Sequence, residues 1–312
     1  MLSRKQFIQR ASLATGAVIS GPLLTRAAEW DRPQRLTILH TNDTHSRLDP
    51  FPMDGSRNQG LGGVAGRAAH INRIRQEEEH VLLLDAGDIF QGTPYFNLYK
   101  GEPEIKAMTA MGYDATTIGN HDFDAGMENL ATQLKLHASF PMLVCNYGLH
   151  ETPLEGLLKP WQVFKKGKLR SGVLGVGIEG KGLVPENLFG KTVYRDPIAD
   201  ANRTAELLKK EQDCDLVICL SHLGNKYPGE PKVSDETLAR ESENIDLIIG
   251  GHTHTFLDRP LVYTNKKGHE VLVNQVGFAG INLGRIDFEF SKFSGRKILK
   301  TEKIIISEKS SA

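Results

Sequence analysis

Short aliphatic and β-branched runs recur along this chain, and five of them stop at a small polar cluster. Residues 36–39 lead to Asp43, 81–84 to Asp88, 115–118 to Asn120, 216–220 to His222, and 245–249 to His252. Runs of this length, bounded by glycine and polar residues, predict buried strands that open into loops at their ends. Val64, Ala68, Ile71 and Ile74 fall at helical spacing, so a helix is expected from Gly62-Gly63 to about Gln76. Further helices are expected over 105–111, near 125–136 and over 200–210. Short strands are expected at 141–145 and 169–176, with Phe164 in β-rich sequence just before. From 261 to 306 the pattern changes to alternating strands, with turns at Asn265-Lys266-Lys267-Gly268 and Ser294-Gly295.

Early βαβ units followed by a strand-rich end predict an α/β fold of two sheets packed face to face, with helices outside. A single doubly wound sheet would give nearly the same first half, and periodicity does not separate the two. No internal repeat interrupts the pattern. One mature domain is expected, over 35–308.

Composition removes some partners. With 38 basic and 38 acidic residues the formal charge is +0, so no bulk field draws the chain to a nucleic-acid polymer or an anionic membrane. The first 28 residues differ from the rest. Arg4 and Lys5 precede a soft apolar run over 11–24, and Ala27-Ala28 supply small residues suited to cleavage. That order is the layout of an export signal peptide. The run is too short and too interrupted for a span of roughly 20 apolar residues, so no stable membrane insertion is expected after cleavage. Ser3-Arg4-Lys5-Gln6-Phe7-Ile8 resembles a twin-arginine signal with lysine in the second basic position; the Sec route is the alternative. Either leads to a periplasmic or extracellular protein. Cys145, Cys214 and Cys219 read as buried thiols, the last two expected on opposite faces of one strand.

The polar clusters carry the chemistry. They are Asp43-Thr44-His45, Gly87-Asp88, Gly119-Asn120-His121-Asp122, Ser221-His222 and Gly251-His252-Thr253-His254. Carboxylate oxygen and imidazole nitrogen suit hard and borderline divalent cations. On extended backbone Asp43 and His45 would face the same way, as would His252 and His254. Asp88 follows a glycine that permits close approach, a placement suited to bridging two ions. Asn120 offers an amide oxygen. Asp122 is expected to cap the helix after it, and Gly62-Gly63 either packs closely or lines a phosphate pocket with its amides. His70, His80, His137 and His150 lack such settings and read as surface or structural residues. Two divalent ions outweigh two carboxylates and a hydroxide, leaving a positive pocket for a phosphate dianion.

These clusters resemble the calcineurin-like metallophosphoesterases, specifically their 5′-nucleotidase branch. The segments that carry the resemblance are His40-Thr41-Asn42-Asp43-Thr44-His45, Gly87-Asp88-Ile89-Phe90-Gln91-Gly92-Thr93, Gly119-Asn120-His121-Asp122-Phe123-Asp124 and Gly251-His252-Thr253-His254. The resemblance implies a four-layer α/β/β/α sandwich. It also implies two divalent ions (Zn, Mn, Fe or Co), one held by Asp43, His45, Asp88 and His254, the other by Asp88, Asn120, His222 and His252. Asn120 and His121 would contact the phosphoryl group, with Asp124 orienting the His121 ring. The implied reaction is hydrolysis of a small phosphate ester, a nucleotide monoester above all, by in-line attack of metal-activated hydroxide. Cyclic-nucleotide phosphodiesters, UDP-sugars and sulfate thioesters are alternative substrates on such a scaffold. Nucleotidases of this branch carry a second domain that clamps the nucleoside; here a separate chain is expected as one supplier. A metal-stabilised subunit of a split enzyme is the non-catalytic alternative.

Overall fold

The computed structural model describes residues 33–291 and 295–307; the expected signal peptide lies outside them, as does part of the turn at Ser294-Gly295. The first half alternates strand and helix as its periodicity predicts. In chain order come β1 (Gln34–Thr41), α1 (Val64–Glu77), β2 (Val81–Asp85), α2 (Pro94–Tyr99), α3 (Glu102–Met111), β3 (Ala115–Thr117), α4 (Met127–His137), β4 (Met142–Leu143) and β5 (Tyr147–Gly148). The second half holds β6 (Trp161–Lys166), β7 (Leu169–Val176), α5 (Glu186–Phe189), β8 (Val193–Tyr194), α6 (Pro197–Lys210), β9 (Leu216–Ser221), α7 (Asp235–Glu241) and β10 (Leu247–Gly250). The alternating end becomes β11 (Leu261–Thr264), β12 (Glu270–Asn274), β13 (Asn282–Ser291) and β14 (Gly295–Ile305).

Twelve of these strands form two six-stranded sheets, ordered β14-β13-β1-β2-β3-β4 and β11-β12-β10-β9-β7-β6. Parallel pairing joins β1 through β4 in one sheet and β7, β9, β10 and β12 in the other, with antiparallel partners at the flanks. The two-sheet expectation holds and the single-sheet alternative falls. Side-chain alternation explains the layers, because the central strands bury both faces. Ile38, Leu82 and Leu84 of the first sheet share a core with Ile218, Leu220 and Ile249 of the second. Their alternate neighbours point outward: Leu39 and Leu83 pack with Ile71, Ile105 and Leu130 of α1, α3 and α4. On the far side Val217, Cys219 and Ile248 pack with Ala205, Leu208 and Leu238 of α6 and α7. The result is helix, sheet, sheet, helix.

One local expectation needs correction. Cys214 precedes β9 rather than lying on it, so strand alternation does not apply, and Cys214 and Cys219 share one apolar cluster. The Gly62 amide donates to the Ile306 carbonyl and is engaged there. Gly63 serves close packing: at φ 89°, a Cβ on it would meet Pro50 at 2.9 Å. Among the described residues no helix is long and apolar enough to cross a membrane.

Candidate metal centre

Parallel strands place their carboxyl ends along one edge, and the polar clusters all lie there. Asp43 follows β1, Asp88 follows β2, Asn120 follows β3, His222 follows β9, and His252 and His254 follow β10. The two sheets thus contribute to a single site. Donor atoms of Asp43, His45 and His254 lie within 4.8 Å of one another, as do those of Asp88, His222 and His252. Asp88 Oδ2 joins the groups, 3.1 Å from His222 Nε2 and 3.9 Å from His45 Nε2. Asp43 Oδ1 stands 3.5 Å from His254 Nε2 and 3.9 Å from His222 Nε2. Asn120 Oδ1 is 2.9 Å from His252 Nδ1. All seven sequence-predicted donors therefore converge. His70, His80, His137 and His150 join neither group.

The means of convergence differs from the expected one. Asp43, His45, Asp88, His252 and His254 all adopt left-handed backbone, with φ between 47° and 70°. Extended alternation is not what aims these side chains. For a non-glycine residue this conformation costs on the order of 1 kcal/mol or more, and it persists where the surroundings dictate it. Close approach of the loops adds a further demand. A Cβ on Gly119 would sit 2.1 Å from Asp88 Oδ1, and one on Gly251 would sit 2.8 Å from His222 Nδ1.

Hydrogen bonds prepare the donors for a cation. His222 Nδ1 donates to the Ala86 carbonyl at 2.6 Å and His45 Nδ1 to that of Phe90 at 3.2 Å, so in each ring Nε2 is the atom left for coordination. His222 Nε2 is fully buried and faces Asp88 Oδ2 at 3.1 Å. His45 Nε2 and His254 Nε2 stand 2.9 Å apart. A cation is the partner that such converging lone pairs fit. The charges agree. Burial alone would lower the His222 pKa, but the Asp88 and Asp43 carboxylates overcome it and raise it to about 10. A metal ion binding there would compete with that proton affinity. Burial and then the neighbouring His222 press His252 down to about 4, keeping it a neutral donor. Burial likewise lowers His45.

His121 belongs to the rim. Its Nδ1 pairs with Asp124 Oδ2 at 2.9 Å, and that bond, ahead of the opposing effect of burial, raises its pKa. Its backbone N–H donates to Asp88 Oδ1 at 2.8 Å, tying the two loops together. With Nδ1 occupied, Nε2 is the ring atom free to meet a ligand.

Several supporting residues escaped the sequence reading. Asp122 does not cap α4, whose N-cap is Gly126. Its carboxylate instead accepts from the backbone N–H groups of Asp88, Ile89, Phe90 and Gly119, holding two loops at once. Fully buried Gln275 clamps the other side: Oε1 accepts from Thr253 Oγ1 at 3.0 Å and from the Thr255 amide, while Nε2 donates to the Gly251 carbonyl. Asn42 steadies Asp43, donating to its Oδ2 at 2.6 Å and to the Gly277 carbonyl at 2.5 Å. Adjacency to Asp43 was a signal for Asn42; Gln275 offered none.

Comparison with known proteins shows the family. The family model described as calcineurin-like phosphoesterase matches residues 36–256. The chain is 35% identical over 292 residues to the 5′-nucleotidase of Bos taurus, covering 87% of this chain and 49% of that protein. It is 33% identical over 308 residues to the trifunctional nucleotide phosphoesterase YfkN of Bacillus subtilis, covering 89% of this chain and 19% of that one. Among solved structures, the 5′-nucleotidase precursor of Thermus thermophilus superposes with a TM-score of 0.78 at 32% identity, covering 89% of this chain and 55% of the other. The chain thus spans about half the length, or less, of the curated relatives it matches. By the span of the family match and the shared fold, the chain belongs to the calcineurin-like phosphoesterases, among relatives of 5′-nucleotidase type.

Proposed function

We propose that the protein is an exported phosphoesterase of 5′-nucleotidase type that releases phosphate from nucleotide monoesters. The observation that carries this reading is the convergence of seven oxygen and nitrogen donors from both sheets around two adjoining positions, with His121 and Asp124 at their edge. In the proposal Asp43, His45, Asp88 and His254 hold one divalent cation, and Asp88, Asn120, His222 and His252 hold the other. When bound, such a pair supplies Lewis acidity, lowering the pKa of water and offsetting phosphoryl charge. The remaining work falls to the chain itself. His121 Nε2 donates a hydrogen bond to the phosphoryl group or the departing oxygen, and Asp124 keeps that ring protonated and oriented. Asn120 places its amide at the same phosphoryl group. Buried Asp88 and Asp43 would offset the charge of bound cations, since burial strengthens their attraction.

The test is phosphate release from a panel of 5′-nucleotides after loading with Zn, Mn, Fe or Co, alongside 2′,3′-cyclic nucleotides, UDP-sugars and sulfate thioesters. Preferred turnover of 5′-nucleotides supports the assignment; a preference for another member replaces the substrate while keeping the site. Failure to turn over any ester while metal analysis finds two bound ions sinks the enzymatic reading and leaves the binding-subunit alternative. Export belongs to the same proposal and rests on the basic, apolar and small-residue order of residues 1–28. A separate chain that adds leaving-group contacts is also included; its signature is activity that rises when a co-purifying protein is returned.

A further inference from the structure

Asp235 is fully buried and yet stands outside both donor groups. Burying a carboxyl group is unfavourable unless specific contacts offset it, so its place in the fold calls for a reason. Asp235 opens α7, and Ser234 fixes that start by accepting from the Thr237 amide at 3.3 Å. Further along the helix, Leu238 and Ala239 are fully buried in one apolar cluster with Val217, Cys219 and Ile248 of β9 and β10. Apolar packing thus seats α7 on the second sheet and carries its first carboxylate to the ends of those two strands.

Ser221 and Gly250 are cross-strand partners at the end of the parallel β9–β10 ladder. Asp235 meets both. Its Oδ1 accepts from Ser221 Oγ at 2.5 Å, and its Oδ2 lies so near Gly250 that a Cβ there would sit 2.0 Å away. Glycine at 250 is what admits the carboxylate, whose Oδ2 makes no hydrogen bond among the described residues. His222 comes directly after Ser221, and His252 two residues after Gly250. Ser221 Oγ also accepts from the Leu223 amide at 3.3 Å, so one hydroxyl holds backbone on both sides of His222. The start of α7 is stitched to the same loop: the Asp235 amide donates to the Gly224 carbonyl at 2.8 Å and the Glu236 amide to that of Asn225 at 3.1 Å. The Asn225 amide in turn donates to Thr253 Oγ1 at 3.0 Å, beside His252. Between these anchored segments the His222 and His252 rings stand 5.5 Å apart, inclined at 68°.

Resting on the cation assignment proposed above, we infer that Asp235 is a positioning residue for the cation held through His222 and His252. Wedged between the last paired residues of β9 and β10, its carboxylate sets how far apart the two histidine loops leave the sheet. The effect is one-sided, because Asp235 hydrogen-bonds no member of the group Asp43, His45 and His254. A residue of purely structural value would lower the melting temperature without singling out one of the two ions.

The test is a two-step metal titration of the full chain, stripped of metal and followed by cobalt(II) absorption, whose bands report ligand geometry. Asp235→Ala, Ser221→Ala and Asp235→Asn are compared with the wild type after the melting temperature of each metal-free protein is recorded. One of the two binding steps should weaken by about 10–100-fold in both alanine variants, with altered bands for that step, while the other keeps its wild-type affinity. Asp235→Asn retains the acceptor for Ser221 and should restore the weakened step. The double variant Ser221→Ala with Asp235→Ala should bind no more weakly than Asp235→Ala alone, since each change breaks the same link. If Asp235→Ala does not fold, Ser221→Ala, which removes one oxygen, decides by the same criteria. Equal weakening of both steps overturns the inference, as does a fall in melting temperature with both affinities unchanged. A wild type that binds fewer than two ions overturns the cation assignment and this inference with it. The expected stepwise loss without any ester turnover keeps Asp235 in its role and removes the phosphoesterase reading instead.

Discussion

Gln275 and Asp124 illustrate how single side chains govern the centre without lying inside it. Gln275 joins the end of β12 to backbone on both sides of His252 and His254. Removing it frees a segment that holds left-handed backbone at two histidines. Outer contacts of this kind typically cost about 10–100-fold in metal affinity when lost. Gln275→Ala should therefore weaken metal binding by about that factor in competition with a chromophoric chelator, while Gln275→Glu, which keeps the acceptor, should lose less. Equal metal affinity in the alanine variant would show that the loop holds its shape unaided. Asp124 makes a different prediction, because it touches His121 and neither donor group. Asp124→Ala should lower kcat by about 10²–10⁴ and leave metal content unchanged. Loss of metal along with activity would reassign Asp124 to the metal shell.

At the level of elements, Asp246 connects four of them from the turn before β10. Its Oδ2 accepts from the Val217 amide of β9 at 2.8 Å and pairs with Lys209 of α6 at 3.0 Å, while Oδ1 pairs with Arg296 of β14 at 2.5 Å. Since β14 edges the other sheet, this carboxylate ties the two sheets together away from the metal centre. Burial would raise its pKa, but Lys209, Arg296 and the Val217 amide outweigh that and hold it below the usual carboxylate range. A depressed folded pKa means stability that is present above the unfolded value of about 3.9 and lost as pH falls through the folded one. Asp246→Asn should thus destabilise the protein by about 1–3 kcal/mol at neutral pH, allowing for the solvent that still reaches its partners. The gap in melting temperature between variant and wild type should close as pH drops below the ordinary carboxylate range. A gap that stays constant would assign the effect to the amide contact alone. None of this was legible in the sequence, where Asp246 is only the second residue of the run at 245–249. The central strands were legible because burial on both faces leaves continuous apolar runs, whereas the two-residue β5 and β8 were not. Helices α2, α5 and α7 were not, being short segments whose formation depends on packing and caps; Ser234, for example, caps α7 by accepting from the Thr237 amide. The seven donors stood out because carboxylates, an amide and imidazoles recur at strand ends. Asp122 and Gln275 did not, because their partners are backbone groups brought near only by folding.

For the whole molecule, the decisive feature is that one sheet supplies Asp43, His45, Asp88 and Asn120 while the other supplies His222, His252 and His254. The core between the sheets is apolar over most of its area, but toward this edge it gives way to buried polar groups, with His40 and Asn274 meeting across it at 2.9 Å. There the stabilisation that apolar burial gives elsewhere is reduced, and the buried carboxylates of Asp43 and Asp88 both approach His222. Cations held between the sheets would offset the repulsion between those carboxylates and link the layers, in addition to any catalytic part. Because they bind the folded chain and find no preformed site in the unfolded one, they raise stability with their concentration, by about 2.7 kcal/mol at a hundredfold excess over Kd. Chelation should therefore lower the melting temperature by several degrees, and readdition of Zn or Mn should restore it. The informative comparison is between Asp43→Ala and His222→Ala, one from each sheet. Both should lose most of the metal-dependent increment, since either change removes one side of the link. If only one variant loses it, the cations are held by a single sheet, and the two layers are joined by apolar packing and the Asp246 contacts alone.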